Sequence, residues 1–293
     1  MWKIDYHIHT TLSDGASLPQ QVVKAAASMG MESIAITDHD GTDGVAAALK
    51  QGKESGIKVV TGIEFATDLG DGTGLRILGY GFDPEHPIMR DKLEFMNEKR
   101  RERNVKLLKV LQGQGFDIAY EELKYGRANE FIGKPVIART MVKKGYLTNY
   151  KDAFTPGLYL ESPEARAVKK VKVDSVEAID IINKAGGVAV LAHPIQAKGR
   201  GKDVDETFFA WIDGVIGKLT DAGLYGLECY HKDHDITQTK RFLDMAGKYG
   251  LKVSRGTDFH GEDYVNREEN TIEFIDGGSD SGYGIFPRDF MDV

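Results

Sequence analysis

Short apolar runs alternate with amphipathic stretches at both ends of the chain. Residues 2–9 read as a first strand. From Ala16 to Met29 the apolar positions Leu18, Val22, Val23, Ala26 and Met29 recur at helical spacing. Ser17 is a candidate N-cap there, Pro19 suits the first turn, and Gly30 ends the helix. A second strand follows over Ser33–Thr37, then a helix over about 43–55 closed by Gly56. Ile57–Glu64 reads as a third strand and Leu75–Gly81 as a fourth. Such alternation predicts parallel β/α units.

The rhythm breaks between about 84 and 170. Met89–Gln112 has a long amphipathic helical pattern, dense in charge at 98–103, and shorter helical stretches cover 120–124, 135–144 and 150–154. From Ser175 the alternation resumes. Strands are expected at Val188–Ala192, Leu224–Cys229 and Lys252–Arg255, with helices over 175–185, 206–222 and 236–249. The pattern predicts an α/β fold: a seven-stranded TIM-like β/α barrel, one strand short of eight. Residues 1–83 and 171–293 would form the barrel, and 84–170 a helical insertion. The Gly- and Asp-rich tail after about 270 reads as a covering loop.

Polar residues of one chemical kind cluster where the apolar runs end. His7 and His9 close the first strand and, one residue apart, share a face. Asp38-His39-Asp40, Glu64, His193 and Asp258-Phe259-His260 follow four later strands. Imidazole and carboxylate are ligands for hard and borderline divalent metals. Side chains at the C-terminal ends of barrel strands converge on one rim. Five clusters in that position imply a shared polynuclear metal site. Adjacent metals in such sites lie about 3.5–4 Å apart and bring the pKa of a bound water near 7. Phosphate-ester hydrolysis is the most natural use, with amide or lactone hydrolysis as the chemical rival.

Composition narrows the setting. The chain has 293 residues, 41% hydrophobic and 28% charged, with a net charge of −7. This acidic balance argues against a surface that coats nucleic acid in general. The single cysteine, Cys229, excludes an internal disulfide and a Cys-rich zinc site. No apolar run approaches the roughly 20 residues of a membrane span. With no signal-like N-terminus, a soluble cytoplasmic enzyme acting on a small metabolite is expected.

The constellation resembles the PHP (polymerase and histidinol phosphatase) family over about 2–82 and 171–262. The insert segment Gly133-Lys134-Pro135-Val136-Ile137-Ala138-Arg139 and the run Gly186–Pro194 are similar to PHP phosphoesterases of the nucleotide type. The resemblance implies a distorted seven-stranded barrel holding two or three Zn, Mn or Fe ions. It implies His7, His9, Glu64 and Asp258 around a first metal. Glu64 would bridge to a second metal, also held by His193, and Asp14, His39 and His260 would hold a third. Many relatives carry a histidine where this chain has Arg76, which cannot ligate a metal and is instead a candidate for a substrate phosphate.

Arginine matches phosphate oxygens with a planar fork. Arg103, Lys134 and Arg139 in the insert, and Arg200 after the His193 strand, are further candidates. His231 and His234 follow the sixth strand and are candidates for substrate contact or general acid catalysis. Asp38 is expected to orient a histidine ring, and Asp40 to cap the following helix. The bland readings are a turn for Asp14 before Gly15, a solvated helix face for 98–103, and core packing for the aromatics. The expected reaction is hydrolysis of a phosphate monoester of a small nucleotide, a nucleoside monophosphate or 3',5'-bisphosphate. The alternatives are a cyclic-phosphate phosphodiesterase, a histidinol-phosphate-type phosphatase and a noncatalytic, metal-stabilised support module.

Overall fold

A computed structural model describes residues 3–124, 131–197 and 204–261. The barrel opens with β1 (Ile4–Ile8), α1 (Pro19–Ser28), β2 (Ser33–Ile36), α2 (Val45–Ser55), β3 (Lys58–Asp68) and β4 (Gly74–Tyr80). Helices α3 (Pro87–Gly113), α4 (Tyr120–Lys124), α5 (Lys134–Lys143) and α6 (Pro163–Ala167) follow. The barrel resumes with β5 (Val173–Asp174), α7 (Ser175–Lys184), β6 (Val188–Leu191), α8 (Glu206–Asp221), β7 (Gly226–His231), α9 (Ile236–Tyr249) and β8 (Lys252–Gly256).

The strand order is β1-β2-β3-β4-β6-β7-β8, with two-residue β5 attached beside β3. A parallel bridge between Ile8 and Phe259 joins the two ends, so the sheet is a nearly closed seven-stranded barrel. Every strand expected from the apolar runs is present. Among the described residues, no helix is long and apolar enough to cross a membrane.

Not every pairing is parallel. Strand β4 runs antiparallel to both β3 and β6. The link after Asp68 is a tight turn: Asp68 accepts from the N–H groups of Gly70 and Gly72, and both glycines have positive φ. A parallel crossover needs a dozen or more residues, so so short a link can only make a hairpin. The reversal puts Arg76 opposite Ala66, near the C-terminal end of β3 and therefore at the rim.

Two local expectations fail. The residue capping α1 is Leu18 rather than Ser17, and its N–H is satisfied by the Gln21 side chain at 2.9 Å. Gly44 caps α2. Asp40 instead accepts from the Ala66 N–H and pairs with Arg100 and Lys170.

The apolar core between sheet and helices is led by Ile63, Phe65, Ile77, Ile182, Leu191 and Leu227. A second core, with Leu107, Leu111, Ile118, Ile137, Met141 and Leu160, lies among the helices between β4 and β5. Helix α3 serves both, through Met89, Leu93 and Met96 at one end and Leu107, Leu108 and Leu111 at the other. Burying each such side chain contributes about 1.5–3 kcal/mol, so α3 ties the second core to the core of the barrel.

Candidate metal centre and active site

The rim gathers ligands from distant parts of the chain. His7 lies on β1, and His9 follows it where the Phe259 carbonyl takes its N–H at 2.8 Å. Glu64 sits within β3 and is fully buried. Its Oε1 is 3.0 Å from His193 Nε2 and 3.3 Å from His7 Nε2. Its Oε2 is 2.5 Å from His39 Nδ1 and 3.7 Å from His9 Nε2. Asp258 Oδ1 lies 3.1 Å from His9 Nε2 and 3.5 Å from His7 Nε2. Asp14 approaches His39 Nε2 at 3.5 Å and His260 Nε2 at 3.3 Å. All eight residues expected as ligands therefore share one pocket.

The backbone is strained at two of them and beside a third. Asp40, His193 and Asp258 all have positive φ, at 46°, 21° and 51°. Non-glycine residues held there cost of order 1–3 kcal/mol each and concentrate at functional sites. Gly256 lets β8 approach β1, since a Cβ there would lie 2.1 Å from the His7 Cβ and 2.7 Å from Glu228 Oε1.

The donor set fits divalent cations. His7 Nε2, both ring nitrogens of His9 and Glu64 Oε2 are buried without a hydrogen-bond partner. Buried polar atoms are nearly always satisfied, and a cation satisfies them all together. The electrostatics agree. Burial alone would lower the His39 pKa, but Asp14 and Glu64 raise it to about 10. Burial likewise opposes charge on His7, and Glu228, Glu64 and Asp258 still push its pKa well above the usual value. Burial raises the Glu64 carboxyl, yet His39 and His7 hold it well below the ordinary range. The carboxylates draw positive charge onto His39 and His7. Burial and the neighbouring His39 and His260 lower the His9 pKa to about 4 and leave that ring neutral, as a metal ligand must be.

The supporting groups differ from those expected. Asp38 does not orient a histidine. Its carboxylate accepts from the Thr10 N–H at 2.7 Å, the Thr10 hydroxyl and the Ser13 hydroxyl, fixing the loop that carries Asp14. Glu228 orients the His7 ring instead and holds the backbone at His193. It is fully buried, its Oε1 accepts from His7 Nδ1 at 3.0 Å, and its Oε2 accepts from the His193 N–H at 2.7 Å. The one available signal was a lone carboxylate within the apolar run 224–229.

His231 faces the cluster, with Nε2 3.8 Å from Asp258 Oδ2. Its Nδ1 accepts the Asp233 N–H at 3.1 Å, which leaves the proton of the neutral ring on Nε2. Burial lowers its pKa to about 4. His234 is spent elsewhere: Nδ1 donates to the Cys229 carbonyl at 2.9 Å and the ring packs on Phe242.

Between rim and insertion lies a cavity of about 360 Å³, lined among others by Asp14, His39, Arg76, Arg100, Arg103 and Lys134. That is within the size range of small-molecule sites, about 300–1,000 Å³. Arg76 has its Nε 3.9 Å from Glu64 Oε2. Arg103 is 7% exposed, and among the described residues its Nε has no hydrogen-bond partner. Lys134 binds the Leu160 carbonyl and Glu161. Arg139 donates to the Asp14 carbonyl at 3.2 Å, bracing the ligand loop. Arg100, stacked on Phe131, and Lys170 both hold Asp40 and were not anticipated. Arg200 lies outside the described residues, as does the tail from 262 onwards.

The model of the PHP domain matches residues 5–165. A phosphoribosyl 1,2-cyclic phosphate 1,2-diphosphodiesterase from Eggerthella lenta is 31% identical, over 88% of this chain and 94% of the relative. The chain belongs to the PHP domain family. Two other PHP-type relatives act on different substrates. A 5'-3' exoribonuclease from Haemophilus influenzae is 32% identical over 88% of this chain and 90% of its own length. A 3',5'-nucleoside bisphosphate phosphatase from Chromobacterium violaceum is 31% identical over 89% of this chain and 88% of its own length. A solved C. violaceum amidohydrolase, with sulfate and no metal, superposes with a TM-score of 0.76 at 29% identity, covering 89% of this chain and 88% of that one. This PHP chain is a metal-dependent phosphoesterase.

Proposed function

We propose that the protein hydrolyses a phosphate monoester of a small nucleotide-like metabolite, with a nucleoside 3',5'-bisphosphate as the best fit. Arg103 carries this reading. Leaving a buried guanidinium N–H unpaired is costly, and an anionic ligand supplies a partner. Arg103 lines the cavity that also reaches Asp14 and His39. One phosphoryl group at the metal ligands and a second anion at Arg103 would use both ends. The C. violaceum relative, named for bisphosphates, supports the same substrate class.

His7, His9, Glu64 and Asp258 would hold one divalent ion, Mn, Zn or Fe, and Asp14, His39 and His260 another. Bound there, such ions neutralise phosphoryl oxygens and make water acidic enough to ionise near neutral pH. The residues of the chain do the rest. Arg76 and Arg103 bind and orient the anionic groups. Helix α3 and the segment around Lys170 cover the site and limit water. His231, with its proton on Nε2, donates a hydrogen bond to the departing sugar oxygen; its low pKa makes it a neutral donor rather than an imidazolium acid.

The test compares kcat/KM for a nucleoside 3',5'-bisphosphate and the matching monophosphate, in the parent protein and in Arg103→Ala. The expected result is a preference for the bisphosphate that falls roughly 10–100-fold in the variant. Equal losses on both substrates, or faster turnover of a cyclic phosphodiester than of either, would contradict the reading.

A further inference from the structure

The rim offers more ligand groups than it has ligand atoms. Three triads or tetrads surround its centre: His9, Asp14, His39 and His260; His7, His9 and Asp258; and His7, Glu64 and His193. A fourth, His7 with Glu228 and His231, uses a nitrogen already engaged. His7 Nδ1 is committed to Glu228, so only Nε2 is free for a cation. That one atom cannot serve two ions. His7 Nε2 is 3.5 Å from Asp258 Oδ1, the oxygen that also faces His9 Nε2 at 3.1 Å. His7 Nε2 is also 3.3 Å from Glu64 Oε1. Whichever group it serves, the described residues complete ligand sets for two ions and not for three. With His7 assigned beside His9 and Asp258, that group is complete. The group around Asp14, His39 and His260 has three ligands of its own. The corner at Glu64 Oε1 and His193 Nε2 is left with two, and those two already lie 3.0 Å apart. Protein sites for catalytic metals supply three ligands or more.

A guanidinium stands at this deficient corner. Arg76 Nε is 3.9 Å from Glu64 Oε2, and Arg76 lines both the large cavity and a smaller one shared with His193 and Gln196. The antiparallel course of β4 brings it there. Arginine stays protonated at any working pH and offers a fork of donors to phosphate.

We infer that the centre holds two metal ions rather than three, and that Arg76 provides the third positive charge, gripping an oxygen of the substrate or product phosphate. This rests on the phosphoesterase reading above and deepens it. Glu64 holds the guanidinium from one side, and the phosphate meets it from the other. Arg76 thus contacts substrate directly and sets the charge of the site without a third ion.

The metal content of the parent protein, reconstituted with excess Mn²⁺ or Zn²⁺ and freed of loose ions, reads the stoichiometry. Competition by inorganic phosphate reads the grip. Two tightly held ions per chain are expected in the parent, in Arg76→Ala and in Arg76→Lys. Phosphate should bind roughly tenfold or more weakly to Arg76→Ala, with part of the loss recovered in Arg76→Lys because the charge returns without the fork. Circular dichroism confirms that the variants fold. Three tight ions in the parent, or unchanged phosphate affinity in a folded Arg76→Ala, would overturn the inference. Phosphate release that ignores metal altogether would instead defeat the metal-dependent phosphoesterase reading. Three ions with metal-dependent hydrolysis intact would defeat only the role of Arg76.

Discussion

His7 and Glu228 meet at 3.0 Å, Nδ1 to Oε1, in a fully buried contact that fixes which nitrogen of His7 faces the rim. The His7 ring opposes burial and holds the Glu228 carboxyl below its usual pKa, so the carboxylate accepts and Nδ1 donates. Nε2 then faces Glu64 and Asp258, where it would ligate a cation on losing its proton. Second-sphere carboxylates of this kind typically change metal affinity or activity 10–100-fold. Glu228→Ala is expected to weaken metal binding by about that much, and Glu228→Gln by less. Titration of the metal-free variants by calorimetry checks it. Parent-like affinity in a folded Glu228→Ala would show that the contact is only structural.

Gly256→Ala should damage the site without touching a ligand. An added methyl would overlap the His7 Cβ. Forced repacking in a close-packed interior costs typically about 1–3 kcal/mol. The expected outcome is a lower midpoint in urea together with reduced metal content. A variant with parent-like stability and full metal content would refute the close approach of β1 and β8.

Asp40 clasps the barrel to the insertion through Arg100 and Lys170, at 3.0 and 2.6 Å. Removing one partner of a buried ion pair costs about 3–5 kcal/mol, so Asp40→Asn should lose stability of that order at pH 7. The pH sign follows from the depressed Asp40 pKa. Burial raises it, but Lys170 and Arg100 lower it further, well under the ordinary value. The contribution is present above the unfolded pKa of about 3.9 and is lost as pH falls through the folded value. Urea melts from pH 7 downwards should show parent and Asp40→Asn converging in acid. A constant gap would refute the assignment.

Metal binding should release protons. With His39 raised to about 10, its ring is protonated in the metal-free protein at neutral pH, and the carboxylates around His7 favour its protonated form as well. Ligation requires them neutral. Apparent affinity should therefore rise with pH up to about 10. Calorimetry in two buffers of different ionisation enthalpy should find net proton release. Equal heats in both buffers would contradict it.

How far the sequence could be read depends on the kind of signal. The strands were legible because Ile34-Ala35-Ile36 or Val188–Leu191 are buried on both faces and read as apolar runs. Candidate ligands such as His193 stood out because each follows such a run. Glu228 did not, because one carboxylate inside Leu224–Cys229 reads as an interruption until its partners across the barrel are known. Arg100 and Arg103 are three residues apart on α3 and turn inward together, while Arg101 and Glu102 between them are exposed. A charge run conceals which face is buried. The antiparallel return of β4 was set by turn chemistry at Asp68–Thr73, which the alternation of elements does not reveal.

The most direct test of the metal centre measures bound divalent metal and phosphate release from a nucleoside 3',5'-bisphosphate on the same samples of parent, Asp258→Ala and His193→Ala protein, each checked for folding. The parent should hold metal and release phosphate, lose both on chelation, and regain both on reconstitution, while the folded variants lose phosphate release and Asp258→Ala also loses bound metal. Undiminished phosphate release by the folded variants, or by the chelated parent, would contradict an active site built on these residues.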